Sequence, residues 1–334
     1  MIDPNFPLID LHRHLDGSIR LDTILDLGRE NNLELPAWDI EGLRPYVQVT
    51  EPQPGVMAFI SKFEWMIGVL VRYEDCMRVA YENVVDAQNE GLDYVELRFS
   101  PWFMSEPHEL QPDGVVEAIV EGVNQAKLDT GMKVNLLGVI SRTYGPDTAL
   151  EELGAILNYR DHIVGIDLAG DEANFPGELF VDHIRTARDA GWHVTVHAGE
   201  SSGPESIWQA IQELGAERIG HAVQAIRDDK LMGFMEEKRI GIEANLTSNV
   251  QTSTVPDYAS HPLRQFLEAG ILATINTDDP GISGINIAYE YEYAAPAAGL
   301  NLDMIHQAQR NALEVAFLSP AEKAELHENR PQGT

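Results

Sequence analysis

Near the middle of the chain, alternating β-branched residues run straight into a histidine, a glycine and a glutamate: Val194-Thr195-Val196-His197-Ala198-Gly199-Glu200. The pattern predicts a buried strand ending on a ligand-type side chain, with a carboxylic acid just past its end. Partners for those two groups lie elsewhere. His12 and His14 stand near the start, His221 follows Ile219-Gly220, and Asp278 and Asp279 follow Asn276-Thr277. Two histidines at i and i+2 on a strand point to one side. With a third histidine and an aspartate they make a nitrogen-rich donor set with one oxygen. That suits Zn²⁺, although iron, cobalt or manganese could be held too. Four protein donors could close a structural site, whereas an open fifth position for water would make it catalytic. Glu200 lies beyond a glycine that permits a sharp turn. It has two readings: a cap for the next helix, a job also open to Ser201, Ser202 and Gly203, or an acid–base group facing substrate. A carboxyl in a water-poor pocket keeps its proton near neutral pH.

These groups meet only if strand ends converge. Eight apolar runs of strand length recur, at 8–12, 94–99, 134–140, 164–169, 193–197, 218–221, 241–244 and 271–276. Helical stretches lie between them, among them 75–90, 114–129, 178–190, 205–214, 228–238 and 261–268. Gly91, Gly191 and Gly270 follow three of these as stop signals. Strand–helix alternation predicts a parallel sheet with crossovers. Eight units in one domain of this size predict an α/β fold, a (β/α)₈ TIM barrel with additional helices. Catalytic groups of such a barrel sit at the C-terminal strand ends, where His12, His14, His197, His221 and Asp278 fall. Taken singly, each histidine reads as an ordinary core or surface residue. The set does not, because its members share one mouth. An open doubly wound sheet is the alternative. It calls for G-x-G-x-x-G after the first strand, and His12-Arg13-His14-Leu15-Asp16-Gly17 stands there instead.

The whole chain, 1–334, reads as one domain with an insertion over 31–70 after the first strand. The insertion begins with a loop holding Pro36, Pro45, Pro52 and Pro54 and ends in an apolar helix over 56–70. Phe59, Phe63, Met66 and Ile67 share one face of that helix, either as core or as a lid over a pocket. The tail, 327–334, is expected to fray. Glu96 and Arg98 share a face of the second strand and are expected inside, satisfied by an ion pair between strands. His193 has the parity of His197 and is placed in a lower barrel layer. His108, His162, His183, His261, His306 and His327 are given no role.

Composition excludes several classes. The single cysteine, Cys76, forbids an intrachain disulfide, a zinc finger and the cysteine-ligated type of nucleobase deaminase. It reads as a buried inert thiol. A net charge of −31 repels nucleic acid and anionic lipid and disfavours a substrate with several phosphates. No apolar run approaches the roughly 20 residues that span a bilayer. Met1-Ile2-Asp3-Pro4-Asn5 does not look like a signal peptide, so the expected location is cytoplasmic. The expected partner is a small molecule, not a nucleic acid or a membrane. The oligomeric state is unassigned.

Five motifs, in order over nearly the whole chain, resemble the adenosine deaminase family and its bacterial branch. They are Leu11-His12-Arg13-His14-Leu15-Asp16-Gly17-Ser18, Asp167-Leu168-Ala169-Gly170-Asp171-Glu172, Val196-His197-Ala198-Gly199-Glu200, Ile219-Gly220-His221 and Asn276-Thr277-Asp278-Asp279-Pro280. The resemblance implies a barrel with one zinc per chain. It implies hydrolysis of the 6-amino group of adenosine and 2′-deoxyadenosine, releasing ammonia, in purine nucleoside salvage. It also implies that His12, His14, His197 and Asp278 bind zinc. Glu200 would protonate purine N1, His221 would orient the attacking hydroxide, and Asp278 would help take the water proton. His14, Asp16, Gly170 and Asp279 would contact substrate: Asp16 the ribose 5′-hydroxyl, the Gly170 backbone N–H purine N3, and Asp279 accepting from N7-H or its equivalent. Related adenine deaminases carry Glu where this chain has Asp16, so the nucleoside is favoured over the free base. An adenine or 6-substituted purine deaminase is the alternative. One departure from the family pattern is Ala222, where glycine is expected after the histidine. Two further readings weigh less. A binuclear amidohydrolase would need a lysine on the fourth strand, and 163–170 has none. A binding protein on a decayed scaffold would not need Glu200 and His221 together.

Overall fold

Eight parallel strands hydrogen-bond in chain order in the computed structural model, which describes residues 1–329. They are β1 (Ile9–His14), β2 (Tyr94–Phe99), β3 (Lys133–Ser141), β4 (Ile163–Ala169), β5 (His193–Ala198), β6 (Arg218–His221), β7 (Gly241–Ala244) and β8 (Leu272–Ile275). Each is nearly continuous in buried residues, as strands covered on both faces must be. Helices cross between them and cover the outside. The result is the expected (β/α)₈ barrel.

The barrel closes at its mouth. β8 and β1 meet through a single bridge, Arg13 to Asp278. His14 N–H donates to the Asp278 carbonyl, and Asp278 N–H to the His12 carbonyl, each at 2.8 Å. Lower down, the Asn276 side chain takes the Leu11 N–H at 3.0 Å. The backbone that seals the barrel thus belongs to three of the candidate ligands.

Inside, charge is paired. Arg98 donates to Asp167 at 2.7 Å, to Glu243 at 2.9 Å and to the Leu11 carbonyl at 2.6 Å. Arg218 donates to Glu243 at 2.6 Å and also to Glu96. These five side chains are fully buried, and the inward ion pair expected for Glu96 and Arg98 is present. Such a network contributes little net stability when complete, but breaking one member costs roughly 3–5 kcal/mol.

Four local expectations need correction. The stretch 40–47 is a helix, not loop. Asp39 caps it by accepting from Gly42 N–H at 2.9 Å, and Pro45 is carried within it. The helix expected over 56–70 is broken into Val56–Ile60, a tight turn at Ser61–Phe63, and Glu64–Ile67. Ser61 Oγ donates to the Ala58 carbonyl at 2.7 Å, a local bond that competes with the helical ladder. His193 is not in a barrel layer. It sits exposed at the bottom rim, stacked on Phe317 at 4.4 Å and bonded to Glu217 at 2.9 Å. Of the tail expected to fray, His327 and Glu328 still belong to the helix Pro320–Glu328, while 330–334 lie outside the described residues. Cys76 is buried, and burial pushes its thiol up to about 12. Among the described residues, no helix is long and apolar enough to cross a membrane.

Candidate active site

β5 delivers His197 to the barrel mouth because Val194 and Val196 face the helices and leave Thr195 and His197 inward. His197 Nδ1 lies 3.0 Å from Asp167 on the neighbouring β4. A carboxylate only accepts, so Nδ1 donates and Nε2 keeps its lone pair. Burial lowers the imidazole to about 3, which keeps it neutral. His12 repeats the arrangement from β1. Its Nδ1 lies 2.7 Å from Glu243, and its buried Nε2 makes no hydrogen bond although Asp278 Oδ1 is 3.1 Å away.

His14 Nε2 lies 3.3 Å from His197 Nε2 and 3.5 Å from Asp278 Oδ1. His221 Nε2 lies 3.8 Å from Asp278 Oδ2. One donor atom each from His12, His197, His221 and Asp278 falls within 4.8 Å of the others. His14, expected in the ligand set, stands at the edge of this cluster, and His221, which was not, stands inside it. Lone pairs of His12 and His197 facing a carboxylate oxygen repel one another unless a cation lies between them. The site's field has the same sign. Burial lowers His14, but Asp279, Asp16 and Asp278 outweigh it and hold its pKa at about 9, so positive charge is favoured here. Burial alone would raise Asp278, yet His12 and His221 hold it well below the usual carboxylate range.

Glu200 follows Gly199, which takes the turn at φ +68°. The turn is capped by a different acid. Glu172 accepts the backbone N–H groups of Gly199 (2.6 Å), Glu200 (3.2 Å), Ser201 (2.8 Å) and Ser202 (3.0 Å), and the hydroxyl of Ser206 (2.5 Å). The capping reading of Glu200 therefore falls. Its carboxyl faces the cavity, 3.6 Å from His221 Nδ1. Burial, then Asp278 and Glu172, raise its pKa well above the usual range, which favours the neutral acid.

The same cavity takes in His14, Asp16, Gly170, Asp278 and Asp279, so every expected site residue except the more deeply set His12 borders it. Asp16 accepts from Ser100 N–H at 3.2 Å through Oδ2, while buried Oδ1 makes no hydrogen bond and lies 3.7 Å from His14 Nδ1. Asp279 fits against Gly17, where a Cβ would stand 1.8 Å from its Oδ1. Burial and Asp278 raise the Asp279 carboxyl well above its ordinary value. Phe59 and Phe63 wall the cavity from the broken helix, whereas Met66 and Ile67 pack in the core.

Adenosine deaminase is the family whose model matches residues 7–330. The chain belongs to the adenosine deaminase family. An adenosine deaminase of Vibrio parahaemolyticus is 60% identical over 328 residues, covering 98% of each chain. The crystal structure of an adenine deaminase from Arthrobacter aurescens superposes with a TM-score of 0.89 at 25% identity, covering 97% of each chain. A Burkholderia ambifaria amidohydrolase structure with bound Zn gives a TM-score of 0.85 at 25% identity, covering 98% of this chain and 90% of that one. The donor cluster and the zinc-bound neighbour fit a divalent cation.

In this adenosine deaminase family member, the sequence motifs did not single out the groups behind the candidate ligands. Asp167 and Glu243 each hold a histidine with its Nε2 lone pair free, an arrangement that carboxylates behind a metal site produce. Glu243 lies between Ile242 and Ala244 on a buried strand, so its inward parity was a usable signal. Ala222, which stands where glycine is expected, keeps a backbone that favours glycine. His221 and Ala222 both adopt left-handed φ, +63° and +54°, and Asp278 does so at +63°. The ordinary backbone that would make the added methyl harmless is absent. Strain of this kind gathers at functional sites.

Proposed function

We propose that the protein deaminates adenosine and 2′-deoxyadenosine to the inosine products with release of ammonia, using one zinc ion. One observation carries the reading. Glu200 is a buried carboxyl, freed from capping by Glu172 and facing the cavity beside the histidine–aspartate cluster, and burial there favours its protonated form. His12, His14, His197 and Asp278 would hold the zinc. Bound there, zinc supplies the nucleophile by lowering the pKa of water to about 7.

The protein's own groups do the rest. Purine C6 is a poor electrophile until N1 is protonated, because addition pushes charge onto that nitrogen. Glu200 gives its proton to N1, and help of this kind contributes roughly 10²–10⁴-fold. His221 Nε2 and Asp278 Oδ2 flank the approach to C6, the first to donate and the second to take the water proton. Asp279 reverses the expected polarity of its contact. Adenosine N7 carries a lone pair, so the raised Asp279 carboxyl donates to it. Asp16 offers Oδ1, which accepts no hydrogen bond within the protein, to the 5′-hydroxyl. A site built to bind a hydroxyl rejects analogues that lack or block it. Asp16 also repels a 5′-phosphate.

The test compares adenosine, adenine and AMP in an ultraviolet absorbance assay. Adenosine should be the preferred substrate, with AMP and adenine poor. Turnover of AMP as fast as adenosine would remove the role of Asp16. Preference for adenine would replace the reading with the free-base alternative.

A further inference from the structure

His261 was given no role on sequence, yet it is 1% exposed and is linked to His221 at the barrel mouth through Asn249. Its Nε2 is 3.1 Å from Asn249 Oδ1. Asn249 Nδ2 is 2.9 Å from His221 Nδ1, and Asn245 Nδ2 approaches the same nitrogen at 3.3 Å. At the far end, the backbone N–H of Leu263 lies 3.1 Å from His261 Nδ1.

A backbone N–H can only donate, so the direction of every bond follows from it. His261 Nδ1 accepts. Burial keeps the ring neutral, so its one proton is on Nε2 and goes to Asn249 Oδ1. That fixes the amide, whose Nδ2 must then donate to His221 Nδ1. His221 Nδ1 therefore holds a lone pair, and the proton of the neutral ring sits on Nε2, the nitrogen that faces Asp278.

We infer that His261 and Asn249 are positioning residues that set the tautomer of His221, through a one-way chain of hydrogen bonds starting at the Leu263 N–H. The catalytic meaning rests on the deaminase reading above. The opposite tautomer would turn a lone pair toward the attacking oxygen, where negative charge must be stabilised. A second consequence concerns Glu200, 3.6 Å from the same Nδ1. With that lone pair already taken by Asn249, the ring does not compete for the Glu200 proton.

The experiment is nitrogen NMR of the zinc-loaded protein labelled at histidine ring nitrogens, with the His221 signals assigned by their loss in His221→Gln. Nδ1 unprotonated and Nε2 protonated supports the chain. A protonated Nδ1 overturns it, whether or not the protein deaminates adenosine. If the tautomer is as stated but adenosine is not turned over, the proposed function fails and the relay stands. His261→Phe removes the donor to Asn249, while His261→Gln restores an N–H at that end. His261→Phe should lose ~10²-fold in kcat with KM within about 3-fold and zinc retained, and His261→Gln should recover at least about 10-fold of that loss. Equal impairment of both variants, or native kcat in His261→Phe, overturns the inference. Should His261→Phe not fold, the tautomer measured in the unmutated protein decides.

Discussion

The carboxylate of Glu172 accepts the backbone N–H of Glu200 at 3.2 Å and leaves the Glu200 side chain free. One acid does the structural work of the turn so that the other can face the cavity. Glu172→Ala strips partners from four backbone N–H groups at once. It should cost about 3 kcal/mol in urea unfolding. It should also lower kcat by ~10²-fold, the usual penalty for a misplacement of about 1 Å. Full activity in a destabilised Glu172→Ala protein would separate the turn from the chemistry.

Glu243 joins two systems. It accepts from His12 at 2.7 Å and from Arg98 and Arg218 below. Glu243→Gln should weaken zinc binding by roughly 10–100-fold in a competition titration with a chelator. It should also lower stability by about 3 kcal/mol, because two buried guanidinium groups lose their shared counter-charge. Unchanged zinc affinity would mean that the tautomer of His12 does not depend on Glu243.

Ala222 bears left-handed backbone strain at φ +54°. Ala222→Gly relieves about 1–2 kcal/mol of it and gives back about half through greater freedom of the unfolded chain. A net gain of roughly 0.5–1 kcal/mol in unfolding free energy is expected from urea unfolding, with kcat unchanged. A loss of stability would show that the methyl packing outweighs the strain.

Glu152 ties the mouth together, accepting from Ser100 Oγ at 2.5 Å, Trp102 N–H at 3.1 Å and Ser141 N–H at 2.8 Å. Burial raises it from 4.5 to about 7. A folded pKa above the unfolded value favours the folded state fully below pH ~4.5, and that contribution is lost as pH rises through about 7. Stability should fall by on the order of 3 kcal/mol between pH 5 and pH 8 from this group. Glu152→Gln should flatten that part of the profile. The same slope in the variant and the unmutated protein would assign it elsewhere.

The candidate site residues were legible because each ends or follows an apolar run, and a barrel sends all such ends to one place. His12, His14, His197, His221 and Asp278 needed only strand counting. Asp167 and Glu243 are single acids inside strands, and only their inward parity marks them. Asn249 and His261 carry no strand-end signal, since Asn249 lies in the short helix Leu246–Gln251 and His261 beyond the irregular stretch that follows it. The break at Ser61 was hidden because apolar periodicity does not register a hydroxyl bonded to its own helix.

The assignment rests most directly on Glu200. Steady-state turnover of adenosine should be measured for the unmutated protein and for Glu200→Gln, with zinc content and inosine binding determined on the same samples. The expected result is a loss of ~10²–10⁴-fold in kcat with zinc and inosine binding retained. Near-normal kcat in Glu200→Gln would contradict the proton donor at the centre of the site.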